Sequence, residues 1–129
     1  MAIHESGENY LEAIHILESE KGNVRSIDVA GFLDVTKPSV SRAVSILKTN
    51  GYLNMHDDGR LVLTEKGREV ALMMYERHEL LTSYLEHIGV PHDIAARDAC
   101  RIEHVLSPET FECIREHARQ LLSGMSSVE

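Results

Sequence analysis

The chain has 129 residues, of which 43% are apolar, enough for one ordinary domain or two small ones and too apolar for wholesale disorder. Two cysteines exclude a disulfide framework, and no apolar run approaches the roughly 20 residues of a membrane-spanning helix, so a cytoplasmic protein with no membrane partner is expected. The formal net charge of −8, taken as one sum, argues against a nucleic-acid partner.

In chain order, residues 6–20 set Tyr10, Ile14 and Leu17 on one stripe with Leu11 beside it, which is helical spacing, and Lys21-Gly22-Asn23 ends that helix. Ser26 is placed to cap a second helix with Ile27, Ala30 and Leu33 inward. After a turn at Asp34 and Val35, Thr36 caps a third helix, with Pro38 in its first turn, where a missing N–H costs nothing. This helix turns Val40, Ala43, Val44 and Leu47 inward and Lys37, Ser39, Ser41, Arg42, Ser45 and Lys48 outward, and Asn50-Gly51 ends it. The runs Tyr52–His56 and Arg60–Leu63, joined by Asp57-Asp58-Gly59, predict a two-stranded hairpin. Thr64 caps a long helix to about Ile88 that carries Val70, Met74, Leu81 and Leu85, closed by Gly89. Pro91 opens a helix to about Leu106, Ser107-Pro108-Glu109 opens a last one to Leu122, and Ser123–Glu129 reads as a frayed tail.

The charge is unevenly divided along these elements. Residues 1–20 hold five acids and no base, residues 21–60 hold six bases and four acids, and residues 61–129 hold seven bases and twelve acids. The basic middle coincides with three helices, a tight turn and a hairpin, which is the order of a winged helix-turn-helix. In that arrangement the third helix enters the major groove and the hairpin reaches the backbone beside it. Its outward face has short hydroxyls, Arg42, Lys37 and Lys48, and no acid from Thr36 to Leu53. Serine hydroxyls and a helix N-terminus bind phosphates, and an arginine reaches a guanine edge. Arg60 flanks the hairpin turn, whereas Asp57 and Asp58 are poorly placed for phosphate. The competing reading is a three-helix packing unit with a solvated face.

A second pattern lies downstream. Cys100, Glu103 and His104 stand at i, i+3 and i+4 on one predicted helix, so thiolate, carboxylate and imidazole share a face in a transition-metal pattern. Antiparallel packing about Gly89 would bring His78 opposite His104. Glu12 lies on the first helix, with Asn9 one turn earlier and His15 one turn later. The plainer reading is a solvated Glu-His face and a small buried cysteine. Cys113 lacks such neighbours, His117 belongs to an exposed acidic helix, and His4, His56, His87 and His92 read as surface residues. No Gly-rich phosphate loop, HExxH or nucleophile elbow is present.

The chain resembles the iron- and manganese-dependent repressors typified by the diphtheria toxin repressor and the manganese transport regulator. Glu8-Asn9-Tyr10-Leu11-Glu12-Ala13-Ile14 resembles their opening helix, and Lys37-Pro38-Ser39-Val40-Ser41-Arg42 resembles the start of their recognition helix. Arg77-His78-Glu79-Leu80-Leu81 and Asp98 through Ser107 resemble their metal-binding and dimerisation region. The similarity spans nearly residues 5–122. The resemblance implies a mainly α fold. A winged helix-turn-helix over residues 1–72 would be followed by a helical metal-binding and dimerisation domain over 73–129, with the helix of about 64–88 shared and no SH3-like third domain. It implies a homodimer on a palindromic double-stranded operator, no enzymatic activity and no small-molecule substrate. The carried-over ligands are Glu12, His78, Cys100, Glu103 and His104, and Asn9 stands where relatives place Met or Asp. Cys100 stands where the iron-type branch has Cys and the manganese-type branch Glu. Thr82 and Ala96 stand where the iron-type branch places ancillary Glu and His.

These expectations combine into a switch. A cation drawing on ligands from both halves fixes their relative orientation, and in a dimer this sets the spacing of two recognition helices against half-sites. It also offsets the acidic charge that brackets the basic middle. The ligand types rank Fe(II) slightly ahead of Mn(II), with Zn(II), Co(II) or Ni(II) accessible in vitro. The alternatives are a metal-independent winged-helix regulator, a metal-buffering or small metalloenzyme domain, and a helical protein-interaction module.

Overall fold

Helix α1, Glu5–Lys21, opens a computed structural model that describes the backbone of residues 5–127 and the side chains of residues 6–121. His4 therefore lies outside the described residues. Strand β1 (Val24–Arg25), helix α2 (Ser26–Leu33) and helix α3 (Lys37–Thr49) follow, then strands β2 (Leu53–Met55) and β3 (Arg60–Leu63). Helices α4 (Glu65–His87), α5 (His92–Ile102) and α6 (Pro108–Ser127) complete the described chain. It divides into two compact units, Met1–Tyr75 and Glu76–Glu129, and α4 contributes residues to both.

In the first unit the apolar stripe of α1 is buried as its spacing requires: Tyr10, Leu11, Ile14 and Leu17 join Val40, Val44 and Leu47 of α3. The α2–α3 turn runs through Asp34, whose φ of 55° is left-handed, a conformation asparagine and aspartate tolerate better than most residues. Thr36 then caps α3 by accepting from the Ser39 N–H at 3.3 Å. Two expectations about α2 are corrected. Ser26 is its first residue rather than its cap; Asp28 reaches back to accept the Arg25 N–H at 2.9 Å, which starts the helix one residue earlier. Ile27 is 61% exposed, and Val29 fills the core beside Ala30 instead.

The hairpin forms as expected, with Gly59 at φ 88° in its turn, but it is not two-stranded. Strand β1 adds to β3 antiparallel, giving the order β1-β3-β2 with Val24 opposite Leu61 and Leu53 opposite Leu63. A two-residue strand is too short for a period-2 pattern to announce it. The wing is locked to α4 by a close approach. Thr64 accepts the Gly67 N–H at 3.1 Å and donates to the Gly51 carbonyl at 2.7 Å. A Cβ on Gly67 would lie 1.9 Å from the Tyr52 carbonyl oxygen, so only glycine fits.

In the second unit, Leu81, Ala99 and Phe111 form the buried cluster, with Leu80, Ile102, Leu106 and Ile114 packed against it. Ser107 caps α6 by accepting the Thr110 N–H at 3.1 Å. Two boundaries differ from expectation. Helix α5 ends at Ile102, so Glu103 is its C-terminal cap and His104 lies in the following turn. Helix α6 continues to Ser127 rather than stopping at Leu122, and no glycine or proline signal opposes it between Leu122 and Ser127 except Gly124, which a helix tolerates at a cost of about 1 kcal/mol.

Candidate nucleic-acid interface and metal centre

The sequence of α3 separates a buried row from an open one. Val40, Val44 and Leu47 are buried, while Lys37, Pro38, Ser41, Arg42, Ser45 and Lys48 are exposed. Ser39 is half-buried because its hydroxyl accepts from Thr36 Oγ1 at 2.8 Å, so it serves the cap as well as the face. The face therefore offers three cations, three hydroxyls and the N–H groups of a helix start.

Arg60 stands directly opposite Arg25 across the β3–β1 pair. Like charges opposed across a ladder repel, and the turn supplies the compensating anion. Asp58 lies 3.9 Å from Arg25 and accepts the Arg60 N–H at 3.0 Å. That N–H holds the Asp58 carboxyl below its usual range, with the charges of Arg60, Arg25 and His56 acting in the same direction. Sequence reasoning left Arg25 out of the cationic set, because its place beside Arg60 depends on the unpredicted strand.

Two metal candidates of the second unit, His78 and His104, gather around a third, the carboxylate of Glu103. Glu103 is fully buried, and each of its oxygens faces an imidazole: Oε2 lies 3.2 Å from His78 Nδ1, and Oε1 lies 3.2 Å from His104 Nε2. The His104 side chain is 2% exposed and that of His78 is 26% exposed. His78 and His104 thus meet at one carboxylate. A carboxylate taken out of water requires such partners. The spacing also suits a cation, since bonds of about 2.1 Å at tetrahedral or octahedral angles hold neighbouring donor atoms about 3.0–3.4 Å apart. Nitrogen and oxygen donors of this kind fit a divalent transition metal.

Cys100 lies one turn before Glu103 on α5 and is exposed, and no disulfide joins it to Cys113, which is exposed on α6. Thr82 is buried, and its hydroxyl donates to the His78 carbonyl at 2.7 Å, which ties it to its own helix. In the first unit, Glu12 is buried on α1 and Asn9 is half-buried one turn earlier. Of the remaining histidines, His117 bonds the Tyr84 hydroxyl at 3.2 Å, His92 lies 3.0 Å from Glu86, and His56 and His87 are exposed. Among the described residues, no helix is long and apolar enough to cross a membrane.

Comparison with known proteins adds to this geometry. Residues 2–61 match the N-terminal DNA binding domain of the iron dependent repressors, and residues 64–122 match their metal binding and dimerisation domain. The chain is 43% identical over 102 residues to the HTH-type transcriptional regulator MntR of Geobacillus kaustophilus (strain HTA426), covering 79% of this chain and 72% of that one. It is 35% identical over 108 residues to the transcriptional regulator MntR of Escherichia coli O157:H7, covering 84% and 70%. Among solved structures, a manganese-dependent transcriptional repressor in complex with manganese superposes with a TM-score of 0.79 at 26% identity, over 87% of this chain and 52% of that chain. T. acidophilum IdeR gives 0.75 at 25% identity, over 91% and 55%. The chain spans about half the length of these solved chains.

Proposed function

Because the chain belongs to the iron-dependent repressor family, metal-dependent transcriptional regulators that bind DNA and dimerise and are not enzymes, we propose that it binds a palindromic operator as a homodimer when a divalent metal is bound, and so controls metal-homeostasis genes in the cytoplasm. The observation that supports this most directly is Glu103, buried between two imidazoles in a chain whose α3 face is free of acid.

The proposed ligands are His78, Cys100, Glu103 and His104, with Glu12 from the first unit and the amide oxygen of Asn9 as a weaker donor. When bound, the cation supplies charge and a fixed geometry that raise the population of the DNA-competent state. The chain's own residues do the rest. Glu103 holds the two imidazoles at coordinating distance, and the Thr82 hydroxyl bonds the His78 carbonyl. On the DNA side, Lys37, Ser39, Ser41, Lys48 and Arg60 are assigned to phosphates, Pro38 to the first turn of the inserted helix, and Arg42 to a base edge. Residues 1–72 form the DNA-binding domain in this reading, and 73–129 the metal-binding and dimerisation domain.

Fe(II) and Mn(II) are the proposed metals. The Cys100 thiolate favours Fe(II), and one superposed relative is a complex with manganese. The test is to select duplexes from a randomised library with the purified chain, then measure binding to the recovered site with no metal and with Fe(II), Mn(II), Zn(II), Co(II) or Ni(II). The expected result is tight binding only with metal, with Fe(II) and Mn(II) effective at the lowest concentrations. Equal affinity in chelator and in every metal would falsify the switch.

A further inference from the structure

We infer that Arg77 is a positioning residue for the metal centre: its guanidinium bonds two main-chain carbonyls of the turn that carries Glu103 and His104, and so sets where those two side chains stand. The inference rests on the metal-binding reading above.

The turn from Glu103 to Ser107 joins α5 to α6, and it begins where α5 runs out of intrahelical partners for its last carbonyls. Arg77, one residue before His78 on α4, is 6% exposed. Its Nη1 donates to the Glu103 carbonyl at 3.0 Å and to the Leu106 carbonyl at 3.1 Å. One nitrogen therefore ties both ends of a four-residue segment that includes His104. The cation also suits the C-terminal end of a helix. These Arg77 bonds lie where α5 stops, at Ile102, although its periodicity continues to Leu106. Its guanidinium is itself fixed, lying 4.9 Å over the Phe111 ring, with Arg115 5.1 Å from the same ring and paired to Glu76 at 2.5 Å. A planar group that stacks on a ring while one of its nitrogens bonds two carbonyls is an arginine property; a lysine ammonium can donate to a carbonyl but lacks the plane that stacks.

Charge and geometry make opposite predictions here. A buried guanidinium near a cation site repels the cation, so by Coulomb's law alone its removal tightens metal binding. A positioning role predicts the reverse, because loss of outer partners commonly weakens metal affinity about 10–100-fold.

The experiment titrates the full chain with Co(II), following the absorption of the bound ion. Arg77→Met is expected to lower Co(II) affinity about 10–100-fold and to alter the absorption envelope. Arg77→Lys, which keeps charge and folding, is expected to lose affinity in the same direction by less. Ile114→Ala disturbs the same core while leaving Arg77, both carbonyls and the Phe111 ring in place, and is expected to lower the melting temperature while leaving the envelope unchanged. Unchanged or tighter binding in both Arg77 variants overturns the inference, as does an envelope altered equally by Ile114→Ala. A wild-type chain that binds no Co(II) removes the metal centre and this inference with it, whereas wild-type binding with unaltered Arg77 variants removes the inference alone.

Discussion

In the first unit the buried side chains run from Tyr10 on α1 to Ala71 on α4 and are apolar almost throughout, with Glu12 the one buried acid among its described residues. In the second unit the fully buried apolar cluster is Leu81, Ala99 and Phe111, and Arg77, Thr82 and Glu103 are buried beside it. A core of the first kind is driven by area removed from water and needs nothing else. A core of the second kind holds only while each buried polar group keeps its partners, and anything that changes those partners changes its stability. The first unit is therefore a scaffold for α3, and the second is the unit whose stability a cation bound as proposed would change.

The largest test of that contrast acts on the second unit. His104→Ala removes one imidazole beside Glu103 and is expected to abolish metal-dependent operator binding while the first unit keeps its fold. In the wild type, metal at about 100 times its dissociation constant should raise the stability of the second unit by about 2.7 kcal/mol. Amide exchange read segment by segment checks both, with protection gained across α5 and the start of α6 in the wild type and not in the variant. Equal protection of α2–α3 and of α5 by metal would break the contrast.

A converse perturbation acts on the scaffold. Gly67→Ala sets a methyl against the Tyr52 carbonyl, where nothing flexible can move aside. It should cost about 3 kcal/mol in urea denaturation, the upper range for overpacking, and leave Co(II) affinity unchanged. Smaller again is Arg42→Ala, which removes an exposed base-reading candidate and should weaken operator binding by about 1–3 kcal/mol with metal present. It should leave both folding and metal binding alone. Binding isotherms at fixed salt check it, because phosphate contacts alone would give the same loss on every sequence.

Legibility from sequence followed the same division. Tyr10, Ile14 and Leu17 on α1 and Val40, Val44 and Leu47 on α3 were readable because apolar burial imposes a period of 3.6 residues. The caps at Thr36 and Thr64 and the Asp58-Gly59 turn were readable because they are local chemistry. In the second unit, ligand spacing and resemblance pointed to His78, Glu103 and His104, and packing brings those three together. The role of Arg77 and the end of α5 were not readable, since a guanidinium 26 residues from its carbonyl partner leaves no periodic trace. Strand β1 and Gly67 were missed for a related reason: both are fixed by a backbone approach from a distant segment.

The smallest expected effect returns to the surface of the first unit. Asp28 accepts from Lys21 Nζ at 2.6 Å and from the Arg25 N–H at 2.9 Å. The Lys21 bond, followed by the Arg25 N–H, holds its carboxyl below the ordinary value of 3.8. A carboxylate depressed in the folded state stabilises that state fully above its unfolded pKa, and the contribution disappears as pH falls through the folded value. Stability of the first unit should therefore decline on acidification below about pH 4. Asp28→Asn keeps an oxygen for the Arg25 N–H but loses the charge facing Lys21. It should cost up to about 1 kcal/mol at neutral pH, in the range of a surface ion pair joined to a helix start. As pH falls through the folded value, where the wild-type carboxyl also loses its charge, the difference should shrink. Melting curves of both proteins across that range decide it: a gap that stays constant with pH would assign the loss to the start of α2, and a gap that closes assigns it to Lys21.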